Sequence, residues 1–435
     1  MDFALTPTQV EYRDRARAVA EKLAPDYQAR ERAGRIDPEL RHAIGAAGLI
    51  APELPVELGG QGVDRLTTGI VAEEIGRGDI NVAYLQVVGS LVGQIIAANA
   101  APDVAAHWVP RICSGEEIVG IGLTEPHAGS DAGMPRLEAV RDGNGWILNG
   151  SKSLSFGGDA AAVVVFARSG PSLRRGKDIS AFLVPLDLPG VTREPVPDMG
   201  TKAVGRGLAH LRNVRIPADP LLGDQGRGFT QVMHGFDFSR ALIGLQCLGT
   251  AQQTVDETWR YTSQREAFDR PLSTNQGVAF PLAEAETLLA AARLLCYRTL
   301  WLKDTGQSHT TEAAMCKWWA PKVAYDVIGQ CLLLHGQFGY RTELPVEQRL
   351  RDVLGLQIGD GTAQIMKLII SRQKLGRELA PREEPQWESL IGRSRSSPAP
   401  GRASGAGSRR SWPPRAPPSS SPTSTRPWRR RPPRP

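Results

Sequence analysis

The chain has 435 residues, of which 41% are hydrophobic, and its formal net charge is +6. A chain of this length can bury a large core and is expected to form two or three domains. Its five cysteines never stand in C-x-x-C spacing, and its seven histidines form no metal-binding pattern. These features argue against a disulfide framework and a zinc site, and they favour reduced thiols in a cytoplasmic protein.

The sequence shows no pattern typical of export or of a membrane span. The sequence opens with Met-Asp-Phe-Ala-Leu, which has an early acid and no basic-then-apolar export pattern. No apolar run is expected to reach the roughly 18 to 20 residues of a membrane helix. We therefore expect a chain that is neither exported nor inserted in a membrane.

Residues 1–120 predict an N-terminal helical domain. The runs 70–76 and 91–97 are typical of buried helix faces, and the stretch 52–62, rich in proline and glycine, is interpreted as a loop between helices. Apolar residues also recur at near-helical spacing at the start of the chain: Leu5, Val10, Ala16, Val19 and Leu23.

The pattern changes near residue 118 and predicts a mostly β domain over residues 121–225. Residues 139–148 contain Asp-Gly and Asn-Gly pairs between apolar residues, which favours a hairpin. The runs 161–167 and 179–184 are rich in residues that prefer strands.

Helical spacing returns after Gly228 and predicts a four-helix bundle over residues 226–382. The predicted helices cover residues 229–263, 281–304, 313–335 and 363–380, with apolar residues three and four apart. The predicted fold class is therefore a multidomain α+β protein, ordered helical domain, β domain and four-helix bundle.

The last segment, residues 391–435, differs from everything before it. It holds eleven arginines and eleven prolines but no lysine and no acid, and removing its eleven charges from +6 leaves −5 for residues 1–390. Its composition predicts disorder, because it offers too little apolar surface to offset chain entropy. A solvated extension, including one produced by a shifted reading frame, is favoured over a nucleic-acid-binding or membrane-binding tail.

Two glycine-bearing segments carry the functional signal. Residues 123–131 read LTEPHAGSD, and residues 359–365 read GDGTAQI. Each offers hydroxyls, backbone amides and a carboxylate between apolar runs, as ligand-binding turns often do. As a pair and in this order they resemble the T-E-P-x-x-G-S-D and E-G-T-x-Q-I segments of the acyl-CoA dehydrogenase family.

The resemblance covers roughly residues 1–382 and carries several implications. It implies the three-domain fold of that family, FAD as cofactor and an acyl-CoA as substrate. It further implies a homodimer or, preferentially, a homotetramer, with an electron-transfer flavoprotein as electron acceptor. The sequence contains no G-x-G-x-x-G motif after a strand, so a Rossmann flavoprotein is not expected.

Asp360 is the predicted catalytic base, at a position where most family members have glutamate. Dehydrogenation of a thioester requires a carboxylate near the weakly acidic α proton and donors at the carbonyl. The alternative is that Asp360 only caps a helix beginning near Thr362. By resemblance, an aspartate base occurs in dehydrogenases of alicyclic acyl-CoAs, such as cyclohexanecarboxyl-CoA, and in nitroalkane oxidases.

The 123–131 segment is predicted to contact flavin and substrate. The resemblance places the Leu123 amide and the Thr124 amide and hydroxyl at the flavin ring, and Ser130 at the pantetheine arm. The alternative is a polar turn without a ligand. The resemblance also implies flavin contacts for Thr362 and Gln364 and a substrate contact for Gly361.

Residues 152–157, KSLSFG, resemble a K-x-W-I-T-N segment with one residue deleted. In this alignment Ser155 takes the place of the threonine whose hydroxyl points to flavin N5. Without the deletion Phe156 would stand there. The tryptophan of the family pattern is missing, which leaves one side of the flavin more open.

Three further segments complete the predicted sites. Asp237 and Arg240 lie in a D-x-[T/S]-R pattern that resembles a CoA-binding segment, and the alternative is a surface ion pair at helical i, i+3 spacing. The R-x-x-F and Q-G patterns resemble the grip on the ADP part of the flavin. The HGQFGY loop resembles the pyrophosphate-binding loop that the neighbouring subunit provides, and the alternative for its glycines is an ordinary helix connection. The residues concerned are Arg265, Phe268, Gln276, Gly336 and Gln337.

The acyl group of the substrate is predicted to be alicyclic, of the cyclohexanecarboxyl-CoA type. A shorter base and a missing tryptophan would both widen the pocket for a ring. Straight-chain and branched thioesters are the alternative substrates. The alternative functions are a nitroalkane-oxidase-like enzyme and a non-catalytic flavin-binding protein. The adjacent Trp318 and Trp319 are interpreted as core or subunit contacts.

Overall fold

The computed structural model describes residues 3–172, 175–218, 220–376 and 378. The predicted tail, residues 391–435, lies outside the described residues. The N-terminal part is helical, as predicted. Its helices are α1 (Pro7–Leu23), α2 (Tyr27–Ala33), α3 (Pro38–Ala46), α4 (Arg65–Gly78), α5 (Ile80–Asn99) and α6 (Pro102–Ser114).

Side-chain caps fix where these helices begin. Thr6 and Gln9 form a reciprocal capping box at the start of α1. The Asp64 carboxylate accepts from the Thr67 amide at 2.6 Å and starts α4. Asp79 accepts from the Asn81 amide at 2.8 Å, so α5 begins directly after α4 ends.

Helix α5 corrects one expectation from the sequence. In the part of the chain that the structure describes, this helix alone is long and apolar enough to cross a membrane, and 83% of its most apolar window is buried inside the protein. Its apolar length therefore reflects a core helix enclosed by other elements.

The middle part forms a twisted sheet with the strand order β6-β7-β3-β2-β4-β5-β8, and β1 pairs with β4. The predicted hairpin is confirmed: β2 and β3 are antiparallel, with Asp142 opposite Gly145. Its strands are β1 (Ile118–Gly122), β2 (Glu138–Asp142), β3 (Gly145–Ser155), β4 (Ala160–Arg168), β5 (Ile179–Pro185), β6 (Val191–Val196), β7 (Arg206–Ile216) and β8 (Leu221–Leu222).

The C-terminal part contains the four predicted long helices and one that was not predicted. The additional helix, α10, has 11 residues, too few to give a distinctive apolar period. Strands β9 (Glu266–Ala267) and β10 (Arg270–Pro271) form a small hairpin. The helices are α7 (Gly228–Gln264), α8 (Gln276–Asp304), α9 (Thr310–Leu334), α10 (Val346–Leu356) and α11 (Ala363–Leu375).

Glycines bring helices α4 and α7 into backbone contact. A Cβ atom added to Gly76 of α4 would lie 2.5 Å from the carbonyl oxygen of Gln246, and one added to Gly249 of α7 would lie 2.0 Å from that of Glu73. No side chain fits at either position. Helix α7, which carries part of the predicted site, is thereby held directly against the N-terminal helices.

Candidate active site

Asp360 lies in the turn between α10 and α11, with an unusual backbone. Its φ is +53°, a region that non-glycine residues rarely occupy, and the φ of Gly361 is +102°. The Asp360 carboxylate accepts a hydrogen bond from the Ser239 hydroxyl at 3.0 Å. Thr362, the residue before α11, makes no side-chain cap. The helix-cap interpretation of Asp360 is therefore wrong, because its carboxylate points to α7.

The surroundings of the Asp360 carboxylate act on its pKa in opposite directions. Burial raises the pKa, whereas the charges of Lys317 and Arg240 and the bond from Ser239 oppose that rise. A carboxylate with an elevated pKa is a stronger base than a solvated one. The environment therefore suits proton abstraction from carbon.

Lys317 of α9 lies below the Asp360 turn. Its side chain is fully buried, and its ammonium donates to the Gly361 carbonyl at 3.2 Å. Burial lowers the pKa of Lys317 to about 8, although the Asp360 charge opposes the shift. The lysine thus ties α9 to the backbone that carries the candidate base.

Asp237 and Arg240 form an ion pair of 2.9 Å, but the pair is buried rather than superficial. Arg240 also approaches the Asp360 carbonyl at 3.5 Å, and Thr310 donates to the other Asp237 oxygen at 2.6 Å. The surface-ion-pair alternative is therefore wrong. The predicted CoA contacts stay predictions, and the contacts that the structure shows support the Asp360 turn.

The 123–131 loop is fastened to β3 by a buried ion pair. The Lys152 ammonium donates to the Glu125 carboxylate at 2.7 Å and to the Leu123 carbonyl at 3.1 Å. The Ser153 amide donates to the Thr124 carbonyl at 2.9 Å. Burial lowers the pKa of Lys152, and Glu125 opposes that shift.

The free side of this loop fits a flat heterocycle. Since a trans peptide points its N–H and C=O in opposite directions, the Thr124 amide faces away from Lys152. Thr124 and Ser130 are exposed, and a Cβ atom on Gly129 would meet no atom within 4 Å. Hydroxyls, an amide and open space suit the acceptor atoms of an isoalloxazine ring, so the donor set is compatible with FAD.

Ser155 ends β3, and its hydroxyl contacts Tyr84, a residue whose pKa the Asp360 charge influences. Its hydroxyl lies 3.0 Å from that of Tyr84 on α5. Burial and the Asp360 charge raise the pKa of Tyr84 to about 12. Phe156 is buried, and its ring centroid lies 6.1 Å from that of Tyr84. Ser155 therefore presents a hydroxyl on this side, and Phe156 packs behind it.

The remaining predicted residues lie at the other end of α7. Arg265 follows the last residue of α7, 26 positions after Ser239, which corresponds to about 39 Å of helical rise. The Arg265 guanidinium lies 6.0 Å from the centre of the Phe338 ring. Phe268 is 92% exposed. Gln276, Gly336 and Gln337 are exposed as well.

Along α7, the Arg265 group therefore lies about 39 Å from Ser239, which contacts the Asp360 turn. The described contacts therefore separate the predicted residues into a base end and a distal end.

Comparison with known proteins identifies the family. The sequence matches the N-terminal domain of acyl-CoA dehydrogenases over residues 6–116, the middle domain over 120–214 and the C-terminal domain over 226–375. The chain belongs to the acyl-CoA dehydrogenase family.

Relatives of this acyl-CoA dehydrogenase occur in bacteria and animals. The probable acyl-CoA dehydrogenase YngJ of Bacillus subtilis is 33% identical over 86% of this chain and 100% of its own. The human mitochondrial short-chain specific acyl-CoA dehydrogenase is 37% identical over 75% of this chain and 80% of its own.

Solved structures share its fold. Butyryl-CoA dehydrogenase from Megasphaera elsdenii has a TM-score of 0.83 and 30% identity over 86% of this chain and 100% of its own. A Mycobacterium smegmatis glutaryl-CoA dehydrogenase in complex with FADH2 has a TM-score of 0.81, with 26% identity over 86% and 96%. A solved structure from work on the electron transferring flavoprotein of Acidaminococcus fermentans has a TM-score of 0.83, with 32% identity over 86% of this chain and 100% of its own.

Sequence reasoning missed several residues of this enzyme's site. Tyr84 and Lys317 lie outside every motif singled out in the sequence. Ser239 stood inside the quoted D-x-[T/S]-R pattern and could have been chosen from it. Glu125 and Lys152 were also inside quoted motifs, but their polar sequence neighbours gave no signal that the two side chains pair in the interior.

Proposed function

We propose that this enzyme is an FAD-dependent dehydrogenase that oxidises the Cα–Cβ bond of an acyl-CoA thioester, with Asp360 as the base. The observation that carries the proposal is the Asp360 carboxylate itself. It is half-buried, it is held by Ser239 at 3.0 Å, and its backbone occupies a strained conformation. Such strain is retained where the surrounding structure requires one exact position of a functional group.

The reaction divides between cofactor and protein. The bound flavin supplies the acceptor for the hydride that leaves Cβ. Asp360 removes the proton from Cα, and the two electrons of that C–H bond form the new double bond. Ser239, Lys317 and Arg240 hold the Asp360 turn while the proton moves. The resemblance of the loops supports FAD contacts by Leu123, Thr124, Ser155, Thr362 and Gln364.

The acyl group is proposed to be compact and alicyclic. An aspartate is one methylene shorter than a glutamate, so the substrate must bring its α carbon closer or fill a wider pocket. A ring can do both, because it fixes the directions of the two C–H bonds. The second candidate is a short straight acyl chain, which the names of the human relative and of the butyryl-CoA dehydrogenase structure favour.

The assembly is proposed to be a homotetramer built from dimers that share their flavin sites. The roughly 39 Å between Ser239 and Arg265 along α7 supports this, since both groups would then serve one flavin from two chains. Electron-transfer flavoprotein is the proposed acceptor, and the cytoplasm is the proposed location.

Anaerobic flavin reduction tests this function. Cyclohexanecarboxyl-CoA, butyryl-CoA, isobutyryl-CoA and octanoyl-CoA are each mixed with the protein, and bleaching of the flavin band is recorded. We expect reduction fastest with the ring compound. Faster reduction by butyryl-CoA would overturn the alicyclic assignment in favour of the short-chain candidate.

The same assay tests the base. Asp360→Asn should retain bound flavin but lose at least about 1,000-fold in reduction rate, because the amide cannot accept the proton. Asp326→Asn, which changes an exposed carboxylate of α9 paired with Lys322, is the matched control and should reduce normally. Undiminished reduction in Asp360→Asn would exclude Asp360 as the base.

A further inference from the structure

Tyr84 of α5 lies beside Ser155 at the candidate site, although no motif in the sequence includes it. Its hydroxyl lies 3.0 Å from the Ser155 hydroxyl, and the charge of Asp360 adds to the effect of burial in raising its pKa. Ser155 belongs to the middle sheet, Tyr84 to α5 and Asp360 to the turn before α11. The N-terminal helices thus place one tyrosine hydroxyl against the serine that ends β3.

We propose that Tyr84 is a positioning residue that sets the direction of the Ser155 hydroxyl proton and so adjusts the hydroxyl that Ser155 presents to the flavin. The proposal rests on the proposed function for the identity of the group that Ser155 faces. It adds a residue and a role beyond that function.

The chemistry of two hydroxyls explains how the coupling works. Each hydroxyl has one proton to donate and lone pairs that accept. When Ser155 faces an acceptor it must donate to it, and Tyr84 then donates to Ser155. When Ser155 faces a donor, the Ser155 proton turns to the Tyr84 oxygen, and the Tyr84 O–H rotates away from Ser155 while keeping its proton. The pair can therefore reverse direction without moving a heavy atom.

Packing and charge keep Tyr84 suited to this role. The Phe156 ring, 6.1 Å away and tilted by 49°, contacts the tyrosine from the side of β3. Burial and the charge of Asp360 raise the pKa of Tyr84 to about 12, so its proton stays in place at neutral pH. A deprotonated tyrosine could only accept, and the pair could not reverse.

A double-mutant cycle tests the proposal with the full-length, flavin-loaded protein. Tyr84→Phe removes only the hydroxyl, and Ser155→Ala removes its partner. Rates of anaerobic reduction by the fastest thioester of the panel are measured for both single variants and for the double variant. The absorption spectrum and the reduction potential of the bound flavin are recorded in parallel, and flavin content verifies folding.

We expect Tyr84→Phe to slow reduction about tenfold and to change the flavin spectrum and potential in the same direction as Ser155→Ala. The double variant should be no slower than Ser155→Ala alone, because Tyr84 acts through Ser155. The control is Tyr12→Phe, which removes a buried hydroxyl on α1 that lies 3.5 Å from Gln61, and it should change none of these quantities.

Two results would overturn the proposal. Multiplicative losses in the double variant would show that Tyr84 acts independently of Ser155, and an unchanged spectrum and potential in Tyr84→Phe would show that no coupling reaches the flavin. Failure of the proposed function gives a different result. In that case the unsubstituted protein is not reduced by any thioester, while the spectra of the variants still report on the hydroxyl pair.

Discussion

Ser239 shows how one hydroxyl can adjust a catalytic base. It donates to the Asp360 carboxylate and thereby favours the charged form, against the burial that raises the Asp360 pKa. The base works only when it is deprotonated. Every group that stabilises its negative charge therefore extends the pH range of activity downwards.

We accordingly expect Ser239→Ala to move the acid limb of the pH–rate profile to higher pH. Without the hydrogen bond the Asp360 pKa rises further, so less carboxylate is present at acid pH. At pH values below the midpoint of the acid limb, Ser239→Ala should be reduced about fivefold more slowly than the unsubstituted enzyme. Well above that midpoint the two rates should be nearly equal. Stopped-flow reduction across pH measures both regions.

The control for this experiment is Ser371→Ala, which changes an exposed serine of α11 whose hydroxyl donates to the Lys367 carbonyl. Its profile should match that of the unsubstituted enzyme. A uniform loss of rate at all pH values in Ser239→Ala would mean that Ser239 places the carboxylate but does not adjust its pKa.

At the scale of elements, the 123–131 loop depends on the Lys152–Glu125 pair. Glu125 also accepts from the backbone amides of Arg136 at 2.8 Å and Leu137 at 3.0 Å, so one carboxylate connects the loop, β3 and the segment leading to β2. Burial alone would raise the Glu125 pKa, but Lys152 and these amides hold it below its ordinary value. This stabilising contribution is present above the unfolded-state pKa and is lost as the pH falls through the lower folded-state pKa.

Glu125→Gln should destabilise the protein by about 3–5 kcal/mol, because it leaves the Lys152 ammonium buried without its counter-charge. It should also reduce flavin retention, since the loop loses its fastening. Urea unfolding and flavin content after gel filtration measure the two effects.

The double variant Glu125→Gln with Lys152→Met provides the comparison. It removes both charges, so no ammonium is left buried without a counter-charge, and it should recover part of the lost stability, although the single glutamine oxygen replaces only one of the two carboxylate oxygens that accept from the Arg136 and Leu137 amides. A double variant less stable than Glu125→Gln would contradict the unpaired-charge explanation.

The elements were largely predictable because their signals are local. The Asp-Gly and Asn-Gly pairs define the β2–β3 hairpin, and apolar periods over more than 20 residues define α7, α8 and α9. Asp360 could be found because its two glycines and the distant 123–131 segment occur in a known order. These features can be recognised without knowing which helices and strands contact one another in the folded protein.

The partners of those residues could not be found in this way. Tyr84 is 71 positions before Ser155, and only the packing of α5 against the sheet brings their hydroxyls together. Lys317 is fully buried, although lysines are rarely so, and its role follows only from the position of the Asp360 turn. Contacts of this kind depend on tertiary structure and leave no period in the sequence.

For the whole molecule, the distance between Ser239 and Arg265 along α7 leads to a prediction about whether two chains share one flavin site. If each flavin lies between chains, Arg265→Ala and Asp360→Asn damage the same site from different subunits. Co-expressing the two variants should then create some sites with Asp360 from one chain and Arg265 from the other. In randomly formed symmetric dimers, about one quarter of the sites would be intact.

Each variant alone should be nearly inactive, and the unfractionated mixture should regain about a quarter of the wild-type activity. Differently tagged chains allow mixed dimers to be purified, and in these about half of the sites should be intact. Activity no higher than the mean of the two separate variants would place Arg265 and Asp360 in sites that do not share a flavin.

The backbone contact between α4 and α7 at Gly76 and Gly249 has a consequence for heat denaturation. Neither helix can separate from the other by a small rearrangement of side chains, because main-chain atoms already touch. The N-terminal helices and the C-terminal bundle should therefore melt together in one cooperative transition, although they are separate in sequence. A partly melted enzyme that keeps α7 in place but loses α4 has no stable arrangement, and loss of activity on heating should coincide with global unfolding.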